Sequence, residues 1–388
     1  MAKARENAEN CVAPMKRITF GNTGGGVDMT EIQAEVRLPT RDLRQDLQFF
    51  TETLGMRLDT IYPADAPKVA VFSGHGLRLR IETGASESPG TIRVRTEDPE
   101  KFANGKRQLV APNGTLVEID ELNPPLVLPP TIHSFVVRRL ADQAPWIVGR
   151  AGMEYRDLIP DRLGGSIIAS HIRIPDGGPV PDMVHYHTVG FQLIFCIGGW
   201  VDVVYEDQGP AIRLHAGDCF IQPPEIRHRV MRASDSVEVI EIGVPAEHIT
   251  TIDHEMVLPT PHIRPDREWN GQKFVHHQAG EASWAPHRLP GYVSRDTTIS
   301  ENTGGVADVR VVKRGDGEPE WRRHEADILF TFVMDGELTL EGESREPHRL
   351  EPGDAFVIPP DMRTCHSDPT DDVELLEVAL PGRFRTAR

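Results

Sequence analysis

"GDCFIQPPEIRHRV", residues 217–230, returns 136 residues later as "GDAFVIPPDMRTCH" at 353–366. At the same offset "VEVIEIGVP" (237–245) meets "VELLEVALP" (373–381). Upstream, "GGSIIASHIRIPDGG" (164–178) parallels "GGVADVRVVKRGDG" (304–317), the offset drifting where loops differ. A repeat of this length and order predicts two related units, spanning 150–248 and 285–384. Each has the same grammar: an alternating strand, a Gly-rich turn, a strand pair, then G-D-x-F-x-x-P-P and a closing strand. Gly-Asp suits a tight turn, and paired prolines stiffen the exit from a strand. Many short strands joined by turns predict a mainly β protein built on small antiparallel barrels or jelly rolls.

The 388 residues leave room for two or three domains, and 34 Gly with 32 Pro agree with frequent turns. A formal charge of −17 argues against a surface that tracks phosphates, so nucleic acid is excluded as a partner. The four cysteines (Cys11, Cys196, Cys219, Cys365) contain no CxxC pair, which suits a reducing, cytoplasmic setting. The opening "MAKARENAENCVAPMKRITF" lacks the apolar core of a signal peptide. No apolar stretch approaches the ~20 residues needed to span a bilayer, so no membrane partner is expected. Residues 1–29 are expected to form an N-terminal arm.

"HYHTVGFQ" (185–192) lies inside the first repeat, in a run that otherwise reads as buried strand. Strand residues two apart share a face, so His185 and His187 can aim at one point, as a metal ion requires. The competing reading is a pair of core histidines satisfied by hydrogen bonds. Two histidines on one face, with a third in the following motif, favour metal.

At these residues the chain resembles the cupin superfamily. "GGPVPDMVHYHTVGFQLIFCIGG" (177–199) approaches the family's first motif, and "GDCFIQPPEIRH" (217–228) its second. Two repeats make it resemble a bicupin, with tandem jelly-roll barrels. The resemblance implies metal-ligand roles for His185, His187, Gln192 and His228. Gln192 stands where the family usually has glutamate, and Glu225 where it usually has glycine. The implied cofactor is one divalent transition metal per chain, Fe(II) first, with Zn, Mn, Ni or Cu as alternatives. Neutral imidazoles suit all of these, and Gln192 offers a carbonyl oxygen. The second repeat carries Arg322, His324, Leu329 and Thr364 at the equivalent positions, with His366 two residues further on. It is therefore expected to be a degenerate barrel without metal, a structural partner of the first, or else a cavity in which Arg322 grips an anion.

A neutral ligand set leaves the cation's charge uncancelled, which favours an anionic, chelating substrate. Tyr205 and Glu241, in later strands of the same barrel, are candidate proton donor and base. His171 and Arg173 share a face of the preceding strand. They either line the cavity, with Arg173 anchoring a carboxylate, or lie in solvent. Arg227 and Arg229 flank His228 and should point the other way.

Residues 30–125 read differently. Leu43, Leu47, Phe50 and Leu54 recur at helical spacing over 41–55, and Gly55 can close that helix. "EIQAEVRLPTRDLRQDLQFFTETLGMRLDTIY" resembles the opening of the glyoxalase/vicinal-oxygen-chelate family, and "APNGTLVEID" (111–120) is similar to its closing strand. The expectation is a small α+β βαβββ domain. Glu35 and Glu118 fall at that family's ligand positions and Arg93 near another, so the set is incomplete and a docking role without metal is implied. Residues 249–284 read as linker, with His276 and His277 not expected to be ligands.

The bicupin resemblance implies an oxidoreductase of the dioxygenase type, acting with O2 on a small anionic aromatic, diketone, or hydroxy or keto acid. A non-redox isomerase, epimerase or lyase on a sugar or keto acid is the alternative, and a non-catalytic small-molecule binder the third reading. A homodimer is the default assembly.

Overall fold

The computed structural model describes residues 34–63, 67–142 and 145–388, so the expected N-terminal arm lies outside the described residues. The chain divides into two compact units, the first ending at Pro124 and the second beginning at Pro125.

In the first unit the strand Val36–Thr40 leads into the helix Leu43–Gln48. The Asp42 carboxylate accepts from the backbone N–H groups of Arg44 and Gln45 and so caps it. The last turn, Phe49–Thr53, widens to π geometry before Gly55 (φ +67°) ends it. Leu43, Phe50 and Leu54 are buried against Phe72, Leu79 and Ile81, as their spacing predicts. Arg57–Tyr62, Val69–Gly74 and Leu77–Thr83 complete a four-stranded sheet, in which Leu77–Thr83 pairs parallel to Val36–Thr40. A three-stranded sheet follows, with Thr91–Thr96 parallel to Leu116–Glu121 and Gln108–Val110 at the edge.

The second unit holds two jelly-roll barrels, and the fold is mainly β. In the first, a seven-stranded sheet includes Ile168–Ile174, Phe191–Gly198, Cys219–Ile221 and Val237–Val244. The facing sheet includes His185–Thr188, Trp200–Tyr205 and His228–Ala233. The second barrel repeats the large sheet with Asp308–Arg314, Ile328–Asp335, Ala355–Ile358 and Glu374–Leu380. Alternation assigns each large sheet two buried faces. Phe191, Leu193, Phe195, Ile240 and Ile242 join Phe330, Phe332, Leu376 and Val378 in one core between the barrels. The intervening residues, such as Ile194, Val237 and Val239, turn into the first barrel's own interior. Runs such as "FQLIFC" are therefore almost continuously apolar, because neither face meets water.

The two halves exchange arms. Val136–Arg138, which precedes the first barrel, pairs with Ala355–Ile358 of the second. Val275–His277, which precedes the second, pairs with Cys219–Ile221 of the first. The Gly-Asp turns anchor the exchange. Arg156 donates to the Gly353 carbonyl at 2.6 Å, and Arg295 to the Gly217 carbonyl at 2.8 Å. The Asp354 and Asp218 carboxylates accept from the N–H groups of Leu140 and Ala279, each at 2.7 Å. The stretch 249–284, read as linker, thus lends two strands to the first barrel: Ile249–Ile252 also pairs there, against His185–Thr188. A linker reading missed this because strand pairing between distant segments leaves no local signal.

Candidate metal centre

The first barrel brings His185, His187 and His228 to one spot. His185 and His228 face each other across adjacent strands, and His187 follows on the same side. One ring nitrogen from each lies within 4.8 Å of the others, and all three residues are buried. Their other nitrogens are engaged. His185 Nδ1 donates to the Met183 carbonyl (2.8 Å) and His228 Nδ1 to the Ile226 carbonyl (3.0 Å). His187 Nδ1 is 2.9 Å from the Thr250 hydroxyl. Donation from Nδ1 leaves the Nε2 lone pair free to bind a metal. His185 Nε2 is buried and has no hydrogen-bond partner among the described residues. Burial holds all three imidazoles below their ordinary pKa, reinforced by neighbouring imidazoles at His187 and His228 and by Arg150 at His185. The rings are neutral, which a metal ligand must be.

Gln192 lies on the interior face of Phe191–Gly198, also buried. Its Nε2 donates to Glu241 Oε1 at 2.8 Å and lies 3.0 Å from His248 Nε2. The glutamate missing at position 192 thus has a counterpart one hydrogen bond away. His248, in left-handed backbone (φ 44°), sets its ring 4.4 Å from that of His187. It closes the first unit beyond the matched stretch 237–245, and the position 136 residues on is Phe384, so the second half offers no histidine to point to it.

A cavity of about 80 Å³ adjoins the histidines. Tyr205 and Glu241, the candidate proton donor and base, are among the residues that line it. Tyr205 is fully buried, burial raises its pKa, and its oxygen accepts from Gln222 Nε2 at 2.8 Å. Most of the remaining wall is branched aliphatic, including Ile172, Ile174, Ile194, Val203, Val230 and Val239. The cation on the lining is Arg150, bonded to the buried Asp182 and outside any motif; Gln222 lines the cavity too, at an unspecified position of the G-D-x-F-x-x-P-P motif.

His171 and Arg173 do share a face, but it is not the cavity face, and the substrate-binding expectation for them is corrected. Their neighbours Ile172 and Ile174 line the cavity, so alternation turns them away. His171 is buried beside Phe332 of the second barrel and bonds Glu238 at 2.6 Å. Arg173 pairs with Glu154 and stacks 4.1 Å over Trp146. Arg227 also points away from the cluster, over the Tyr186 ring.

Residues 309–378, most of the second barrel, match a family model described as a cupin domain. No curated protein matches the chain. Among solved structures, a salicylate 1,2-dioxygenase from Pseudaminobacter salicylatoxidans is 15% identical with a TM-score of 0.49, covering 68% of this chain and 90% of that one. An oxalate decarboxylase from Lactobacillus farciminis, as a formate complex, is 14% identical with a TM-score of 0.48, covering 67% and 91%. The protein Ylba from E. coli is 10% identical with a TM-score of 0.46, covering 68% and 96%.

Proposed function

We propose that the first barrel holds one divalent transition metal on His185, His187 and His228, with Fe(II) the favoured ion. In this reading the protein is a dioxygenase-type oxidoreductase for a small anionic substrate with an apolar body. The observation that carries it is the buried, unpartnered Nε2 of His185 at the meeting point of three neutral imidazoles. A buried donor set of that kind is costly to leave unsatisfied and fits a nitrogen-preferring ion. With Nε2 held by Glu241, the carbonyl of Gln192 is the end left for an ion.

When bound, the ion would supply Lewis acidity toward substrate oxygens and redox chemistry toward O2. The chain's own residues do the rest. Arg150, steadied by Asp182, receives the anionic end of the substrate. Tyr205 stays protonated, and because its oxygen accepts from Gln222, its O–H is free to donate into the cavity. Glu241 sits at the wall as a proton acceptor. The aliphatic lining keeps water out and gives a sugar's hydroxyls few partners, which weighs against a sugar isomerase. At roughly 10–15 Å³ per water, the cavity holds the equivalent of about six waters, a compact substrate.

Oxygen uptake with Fe(II), measured over small hydroxy acids, diketones, hydroxybenzoates and sugar acids, tests this reading. Turnover is expected for apolar-bodied anions. It should be abolished by His187→Ala, and Arg150→Ala should raise KM by roughly 10- to 100-fold, the worth of a charge-assisted hydrogen bond. Uptake that survives His187→Ala, or that occurs only with sugar acids, would contradict it.

We read the first unit as a glyoxalase-like docking module. Its parallel pairing of first and fourth strands supports this, and Glu118 is engaged by Arg93 at 3.0 Å.

A further inference from the structure

We propose that the second barrel has a binding site of its own, for one compact anion of halide size, at the place where the first barrel keeps its histidines. The register sets the correspondence: Arg322 bridges Thr364 as His185 pairs with His228. A cavity of about 10 Å³ lies there, lined by Arg288, Arg322, Arg323, His324, Thr364 and His366 among others. One water fills about that much space, so the ligand is monatomic or nearly so.

The cavity wall has unmet hydrogen-bonding capacity. Nδ1 of His366 and Nε of Arg322 are buried with no hydrogen-bond partner among the described residues. His324 is 3% and His366 6% exposed. Buried polar atoms are nearly always bonded, and two orphans on residues that line one small cavity point to an occupant.

The charges select an anion. The carboxylate of this interior, Glu377, is already engaged by Arg288, and His287 Nε2 lies 3.4 Å from it. Burial raises its pKa, but Arg288 and His287 outweigh burial and hold the carboxyl well below the usual range. Burial lowers His324 and His366 to about 4, so both are neutral at pH 7 and each can present an N–H. Arg322 and Arg388 share the single carboxylate of Glu320, which leaves the positive charge of that pair only partly balanced. The lining is rich in donors, and Glu377, already committed to Arg288, has little to offer a cation.

The strand Thr386–Ala387 covers one side of the cavity. Thr386–Ala387 pairs with Arg323–His324, and Thr386 lines the cavity. Arg288 lies 5.0 Å over the Phe384 ring, which also flanks His324.

A crystal soaked in bromide gives the direct reading: an anomalous peak within hydrogen-bond reach of Arg322 Nε and His366 Nδ1 is expected. In solution, bromide at about ten times its dissociation constant should raise the thermal midpoint of the full chain by roughly 2–4 °C over gluconate at equal ionic strength. Arg322→Met should remove that increment, and His187→Ala, in the other barrel, should keep it. Water alone in the cavity of the bromide-soaked crystal, or coincident midpoints in bromide and gluconate, overturns the assignment whether or not Arg322→Met folds.

Discussion

Gln192 stands between a carboxylate and an imidazole, its Nε2 2.8 Å from Glu241 Oε1 and 3.0 Å from His248 Nε2. A glutamate there would set two carboxylates side by side in a buried site, where like charges repel and one must take up a proton. Gln192→Glu should therefore destabilise the metal-free protein by about 1–3 kcal/mol, the cost of a buried hydrogen bond lost. A divalent metal should restore much of that stability, because it gains an anionic ligand. Thermal melts with and without metal check this, and equal midpoints for variant and parent without metal would contradict it. At this scale the sequence showed a great deal. Alternation put His185 and His187 on one face, and the repeat set His228 apart from Thr364. The same alternation linked His171 with Arg173 but could not say which face was inward, since that depends on the second barrel lying against the other side. Arg150 and His248 had no periodic signal at all.

Among the elements, the Gly-Asp turns explain why a motif persists in a repeat that has lost the histidines. Each turn offers a glycine carbonyl to an arginine of the other half and a carboxylate to the arm exchanged from it. Gly353 sits at φ +93°, and a Cβ there would lie 2.8 Å from Leu140 Cδ2 on the arm. Gly353→Ala should cost about 1–2 kcal/mol from backbone strain alone, with the clash against the arm in addition. Urea unfolding checks this, and an unchanged midpoint would show that the turn does not anchor the arm. The turn itself was legible in the residues Gly and Asp. The exchange was not, because Val136–Arg138 and Val275–His277 are short and their partners lie far along the chain.

Across the whole molecule, the two barrels share one core and each buries histidines in its interior. His324 and His366 are held near 4, against an ordinary value of 6.5, by burial first of all. Between those values the unfolded chain binds protons that the folded chain refuses. Stability should therefore fall as pH drops from 6.5 toward 4, by up to about 1.4 kcal/mol per pH unit for each histidine, and the pair should contribute no slope above that window. Urea midpoints at pH 7, 6 and 5 check this; a flat profile would contradict it. The two-barrel architecture was readable from the 136-residue offset, because a repeated pattern of turns and strands implies a repeated fold. What the offset could not convey is that neither barrel is complete without a strand from the other half.

Metal content after purification without chelator, followed by Fe(II) reconstitution, decides whether the first barrel is a metal centre. One ion per chain is expected in the parent protein and none in His187→Ala, with the circular dichroism spectrum unchanged. A parent protein that retains no metal after reconstitution, or a His187→Ala variant that holds it as tightly, would contradict the three-histidine site.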